Sequence, residues 1–172
     1  MLSFSADADM HFGLGKEASE KEISAWNIDV RPDGSGLPST EGGNAIQGKN
    51  LYQQHCQFCH GLAGQGGAYD QLVGRLENDS FPFAEHHPPV NTIGNYWPWA
   101  TTLFDYIRRA MPYTRPGSLS DDEVYSLTAY ILYENKIIPE DMMLTAHNLP
   151  TIEMPSQRRF VPDNRTETQA LR

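Results

Sequence analysis

Apolar residues recur at helical spacing in three stretches of this chain, and each stretch carries its own start or stop signal. Asn44 is a helix cap, and Ala45 to His55 follows as a helix with Ile46, Leu51 and Tyr52 as packing residues and Gly48 allowing another helix close. From Thr101 to Ala110 the inward set is Leu103, Phe104 and Ile107, with Asp105 placed to pair with Arg108 or Arg109. Pro112 ends that helix, so Met111 falls where helix gives way to loop. The third begins at Ser120, which caps while Glu123 reaches back and Asp121 and Asp122 suit the positive end of the dipole. Val124, Leu127, Thr128 and Ile131 then share one face, flanked by Tyr125, Tyr130 and Tyr133.

The stretches between are irregular. Residues 1–41 read as an extended arm with one short helix, where Ser19-Glu20-Lys21-Glu22 forms a capping box and Ile23 and Trp26 supply an apolar side. Residues 27–38 are rich in turn formers, yet Trp26, Ile28 and Val30 predict an arm laid against something apolar. Residues 77–100 carry Phe81, Phe83, Tyr96, Trp97 and Trp99 without periodicity, and the four prolines after residue 136 predict a tail packed over the core that frays beyond Pro162. The pattern therefore predicts an all-α protein with an arm over 1–41, a core domain over 42–136 and a tail over 137–172.

Composition narrows the class. At 172 residues, 39% of them hydrophobic, with 12 prolines and 14 glycines, the chain has room for one domain with extensions. No run approaches the ~18 apolar residues of a membrane span. A net charge of -9 would be repelled by nucleic-acid phosphates, and suits an acidic protein that meets basic patches on its partners.

The chemistry concentrates in Cys56-Gln57-Phe58-Cys59-His60, where two thiols stand three positions apart and an imidazole follows the second. This is the spacing for attaching a c-type haem: each thiol adds across one vinyl group to give a thioether, and the histidine is held beneath the ring to bind iron. A dithiol redox motif or half of a zinc site uses the same pair of cysteines. These are the only two cysteines in the chain, no histidine pair completes a zinc set, and no strand precedes Cys56 as a thioredoxin-like unit requires. The glycine-dense loop Gly61 to Gly67 lets the backbone bend away from a flat porphyrin; a phosphate-cradling reading lacks both the strand and the lysine.

An electron carrier with six-coordinate iron needs a second ligand, and a methionine thioether raises the potential. Among six methionines, Met111 has the setting, on a Pro-bounded loop between helices. Met154, before Pro155, is the runner-up, whereas Met1 and Met10 lie in the arm and Met142 and Met143 read as packing. His86 and His87, ahead of two prolines, read as a solvated loop rather than a ligand pair. Tyr96, Trp97 and Trp99 are expected at the haem edge, their rings excluding water and their polar ends reaching toward propionates.

Covalent haem attachment in bacteria takes place outside the cytoplasm, yet Met1 to Asp7 has neither the basic start nor the apolar core of an export signal. The expectation is a periplasmic protein read in a processed or trimmed form, with Met1 an added start.

Helix, attachment motif, glycine loop, Met111-Pro112 and a capped last helix together resemble a class I c-type cytochrome, in which three to four helices surround one covalent haem c; the likeness runs from about Asn44 to Asn135. A further likeness lies in Ile23 to Gly34, in Thr92 to Trp99 and in Phe104 to Pro112. These segments resemble the SoxD family, the cytochrome subunits of sulfane dehydrogenase in the Sox sulfur-oxidation system. That resemblance implies a non-catalytic electron-transfer subunit seated against a SoxC-like molybdenum cofactor subunit, which oxidises carrier-bound sulfur, and a downstream acceptor such as another cytochrome c. The chain has one haem motif where longer members have two. It also has Gln71 before Leu72 where many class I cytochromes have a proline whose carbonyl orients the axial histidine, so the carbonyl serving His60 stays open.

Two other functions fit the residues. A free periplasmic shuttle to a terminal oxidase would dock weakly and salt-sensitively and form no stable complex. A haem enzyme or gas sensor with an open iron position would bind cyanide rapidly and show a ferric spectrum indifferent to loss of Met111.

Overall fold

The computed structural model describes residues 14–83 and 89–161. Five α-helices run through them: α1 (Glu20–Trp26), α2 (Ala45–His55), α3 (Gln57–His60), α4 (Ala100–Ala110) and α5 (Asp121–Glu134). Short 3-10 turns add Glu77–Asp79, Leu149–Thr151 and Gln157–Arg159. Among the described residues extended pairing is confined to an isolated bridge between Gly43 and Leu144, so the all-α expectation holds.

Capping boxes start α1, α2 and α5. Ser19, Asn44 and Ser120 each accept from the amide three residues on, while Glu22, Gln47 and Glu123 reach back to the cap's own amide. Each box satisfies two backbone donors that a helix start otherwise leaves open.

The core is the crossing of α2 over α5 with α4 packed alongside. Gly48 makes the crossing close: a β-carbon there would stand 2.8 Å from the Tyr130 β-carbon and nearer still to the Ser126 backbone. Tyr52, one turn on, then stacks at a tilt on Tyr130 with ring centroids 5.0 Å apart. From α5, Val124, Tyr125, Leu127, Ala129 and Leu132 are fully enclosed, and Phe104 of α4 lies 4.5 Å from Tyr125, centroid to centroid. Ile46 departs from the expectation. It is 55% exposed, because the face of α2 turned to α5 is the narrow one of Ala45, Gly48 and Tyr52.

The arm divides at Ile28. Before it, among the described residues, α1 buries no residue and leaves Trp26 88% exposed. Beyond it the backbone is fastened to the helices: Val30 N–H donates to buried Asp105 (2.8 Å), Arg108 donates to the Ile28 carbonyl (3.2 Å), and Tyr125 donates to the Pro38 carbonyl (2.9 Å). Asp105 takes Arg109 as its ion partner, while Arg108 pairs instead with Asp121 at 2.9 Å.

The segment after α5 returns across the core. Gly43 and Leu144 exchange backbone hydrogen bonds, Leu144 and Leu149 are fully buried, and Ser156 Oγ donates to the carbonyls of Tyr96 and Trp97 (2.8 and 3.0 Å).

Candidate functional site

α2 delivers the two cysteines. Its last hydrogen bond runs from Cys56 N–H to the Tyr52 carbonyl (2.9 Å), and α3 follows as one turn in which the amides of Cys59 and His60 both reach the Cys56 carbonyl (3.1 and 3.0 Å). Cys56 and Cys59 are thus one turn apart, both half-buried and unbridged. The chain leaves α3 through Gly61 at φ 83°. It folds back at Gly64 (φ 76°), whose carbonyl accepts from Leu72 and Val73, both at 2.8 Å.

That loop brings Asp70 over the histidine. His60 Nδ1 lies 2.7 Å from the Asp70 carbonyl oxygen, and since a carbonyl only accepts, Nδ1 carries the proton. Nε2 is left as the imidazole's free lone pair, the tautomer a metal requires. The acceptor is a backbone atom ten residues away, which no side-chain pattern could have named.

The thiol chemistry favours one reading of the motif. Burial first, and the Cys59 charge second, push the Cys56 thiol up to about 12, so it is a neutral thiol and not the low-pKa thiolate of a dithiol oxidoreductase. Among the described residues no group of three or more His, Cys, Asp or Glu side chains gathers as a metal site.

Cys56, Leu72, Trp97 and Met111 are partly buried and all pack on the one core cluster built by α2, α4 and α5. Met111 sits at the end of α4, its amide bonded to the Ile107 carbonyl (3.1 Å) and its backbone already extended. Met154 is placed differently: it is 3% exposed within the core and borders a polar cavity with Arg75, Asp79, Ile137 and Arg158. Met1, Met10, His86 and His87 lie outside the described residues.

The aromatic residues expected at a propionate edge are engaged with the protein. Trp97 Nε1–H donates to Thr102 Oγ1 (3.0 Å), and its ring meets Tyr106 edge-on at 6.0 Å. Tyr96 joins Phe81, Phe83 and Phe160, with centroids 5.4 to 5.9 Å away. Trp99 precedes α4, its carbonyl accepting from Thr102 Oγ1 (3.0 Å). Sequence reasoning passed over Asn135, the residue after α5, which is 1% exposed and bonded to the loop that carries Asp70.

Two free thiols one turn apart and a histidine fixed through Nδ1, with a half-buried thioether packed on the same core, fit a covalently attached porphyrin, the histidine and a methionine being the two ligand types an electron-transfer haem uses.

The family model described as cytochrome C oxidase, cbb3-type, subunit III, matches residues 43–131. Two curated relatives are thiosulfate dehydrogenases: one from Stutzerimonas stutzeri (strain A1501), 32% identical over 102 residues, and one from Psychrobacter arcticus (strain DSM 17307 / VKM B-2377 / 273-4), 28% identical over 115 residues. Those matches cover 55% and 60% of this chain but only 29% and 31% of the relatives, so the chain spans about three tenths of their length. Among solved structures, the sulfane dehydrogenase SoxCD from Paracoccus pantotrophus superposes with a TM-score of 0.76 at 38% identity, covering 91% of this chain and 75% of that one.

Proposed function

The chain belongs to the c-type cytochromes, in the family described as cytochrome C oxidase, cbb3-type, subunit III, and has the class I cytochrome c fold; from that premise we propose that it is a single-haem electron-transfer subunit of a sulfur-oxidising dehydrogenase. The observation that carries this reading is the extent of the likeness to SoxCD. At 91% of the chain it reaches well beyond the cytochrome core matched over 43–131 and takes in much of the arm and the tail.

Haem c, when bound, supplies an iron centre that takes up and releases one electron at a time. Cys56 and Cys59 hold it covalently, and α2 and α3 fix both sulfurs on one short rigid segment. His60 would bind it through Nε2 with its Nδ1–H held by the Asp70 carbonyl, and Met111 would supply the second ligand. Leu72 and Trp97, packed on the core, would help to exclude water from the group. None of these groups acts on a sulfur substrate. The electrons come from a molybdenum cofactor subunit of the SoxC type and leave to a second carrier such as another cytochrome c, and the compartment is the periplasm. Among the described residues no helix is long and apolar enough to cross a membrane.

The first half of the arm is the docking element for the dehydrogenase subunit. Its motivation is that Ile23 and Trp26 are 47% and 88% exposed among the described residues. Expression with haem-attachment machinery should give a red protein heavier than the polypeptide by one haem. Coexpressed with a molybdenum dehydrogenase subunit, it should copurify and be reduced when that subunit is given its sulfur substrate. A variant lacking residues 14–27 that still copurifies in full yield would defeat the docking role. A haem that stays oxidised in the complex would defeat the function, and reduction without a stable complex would assign the free shuttle instead.

A further inference from the structure

We propose that Asn135 is a positioning residue for the haem ligand: from the end of α5 it holds the 70–74 segment so that the Asp70 carbonyl stays on His60 Nδ1. The inference rests on the haem reading of the Cys56–His60 motif and adds to it a residue with no contact to the motif itself.

Both ends of the Asn135 side-chain amide are used. Oδ1 accepts from Gly74 N–H (2.9 Å), and Nδ2 donates to the carbonyls of Leu72 (3.2 Å) and Ile131 (2.8 Å). The last bond ties the amide to α5 itself, so the other two fasten an irregular segment to a buried helix. The residue is 1% exposed, which removes water as a competitor for these bonds.

The same point gathers a second loop. Ile93 N–H donates to the Leu72 carbonyl (3.0 Å) and Thr92 Oγ1 to the Gly74 carbonyl. Gly94 comes so close that a β-carbon would stand 2.7 Å from the Gly74 carbonyl and 3.0 Å from Asn135 Cγ. On its other side the 72–73 backbone donates to the Gly64 carbonyl in the loop that follows the motif. Residues 72–74 therefore bridge the haem-motif loop and α5, and Asp70 precedes them by two residues. Removing the α5 anchor leaves that carbonyl held from the motif side and, through residues 72–74, by the 92–93 loop alone, without the tie to a buried helix.

The consequence is electronic. An Nδ1–H held firmly by a carbonyl makes the imidazole a stronger donor, which favours ferric iron and lowers the reduction potential. Loosening it makes the ligand a weaker donor and opens the Nδ1 proton to solvent.

The test uses the full haem-loaded chain and three variants, Asn135→Ala, Asn135→Asp and Leu149→Ala. Asn135→Asp keeps the shape and the acceptor but loses the Nδ2 donor, and so serves if Asn135→Ala does not fold. Leu149→Ala opens the fully buried site in the Leu149–Thr151 turn against α4 and is the control for general loosening. Proton NMR of the axial-ligand Nδ1–H and potentiometry are the readouts. Both Asn135 variants should exchange that proton on the order of tenfold faster, the ratio expected from losing about one hydrogen bond of anchoring, and Asn135→Ala, which adds no charge, should have a more positive potential than the parent, with Leu149→Ala close to the parent in both. Parent-like values in the Asn135 variants, or equal changes in Leu149→Ala, would overturn the positioning role. A parent protein that attaches no haem would instead defeat the reading on which it rests.

Discussion

Gly48 of α2 lies against Ser126 of α5 with no room for a side chain between them. A β-carbon at Gly48 would overlap the Ser126 carbonyl and stand 2.8 Å from Tyr130 Cβ, and these are all backbone or β-carbon atoms that cannot swing aside. Gly48→Ala should therefore force the helices apart and cost about 2–3 kcal/mol, the range for overpacking a rigid core site, despite alanine's better helix propensity. Thermal or denaturant unfolding checks this; a variant as stable as the parent would show that the two helices are free to slide.

Asp105 joins the arm to the core. Its carboxylate, in a residue 7% exposed, accepts the Val30 amide and pairs with Arg109, whose side chain is about half exposed. Asp105→Ala leaves the buried Val30 N–H without a partner and should cost about 2–3 kcal/mol. Asp105→Asn keeps an acceptor for that amide and should cost about 1 kcal/mol. Limited proteolysis separates the effects: in Asp105→Ala cleavage near Val30 should quicken, and in Asp105→Asn it should stay close to the parent rate.

The Ser19 capping box gives α1 a pH dependence of known sign. Hydrogen bonds from the Ser19 amide and hydroxyl, and then Lys16, lower Glu22 to about 2 from an ordinary value of 4.5. A carboxylate with a depressed folded-state pKa adds stability above its unfolded value and loses it as pH falls through the folded one. The protection of the α1 amides, their exchange measured relative to the intrinsic rate at each pH, should therefore be constant above pH 4.5 and fall as the pH drops toward 2. Glu22→Gln should abolish that acid limb, and a limb that survived the substitution would assign it to another group.

The three capped helices, the break at Pro112 and the attachment motif were legible because each rests on local chemistry: a side chain meeting its own backbone, a missing amide, a fixed spacing of two thiols. What was not legible rests on where the chain returns. Ile46 is apolar and helically spaced, yet the glycine two residues on draws α5 in along a narrower face and leaves Ile46 outside. The partner of His60 is a carbonyl, present in every residue and so marked by none. Asn135 reads as an ordinary helix end, and its role appears only when residues 72–74 and 92–94 are brought to it by folding.

Met111 and Met154 make opposite predictions because their burial differs. Met111 is half-buried at the end of α4, packed on the core but not enclosed by it. Met154 is 3% exposed, with its apolar body inside the core. In the haem-loaded protein Met111→Ala should abolish the sulfur-to-iron charge-transfer band of the ferric spectrum, lower the reduction potential and open the iron to cyanide, with a stability loss under about 2 kcal/mol for the half-buried side chain itself. Met154→Ala should leave band and potential in place and cost about 2–5 kcal/mol in unfolding, the range for emptying a buried methionine site. The reverse assignment, a band lost with Met154 and kept without Met111, would move the second ligand to the tail. The 143–157 segment would then be part of the haem site rather than its cover.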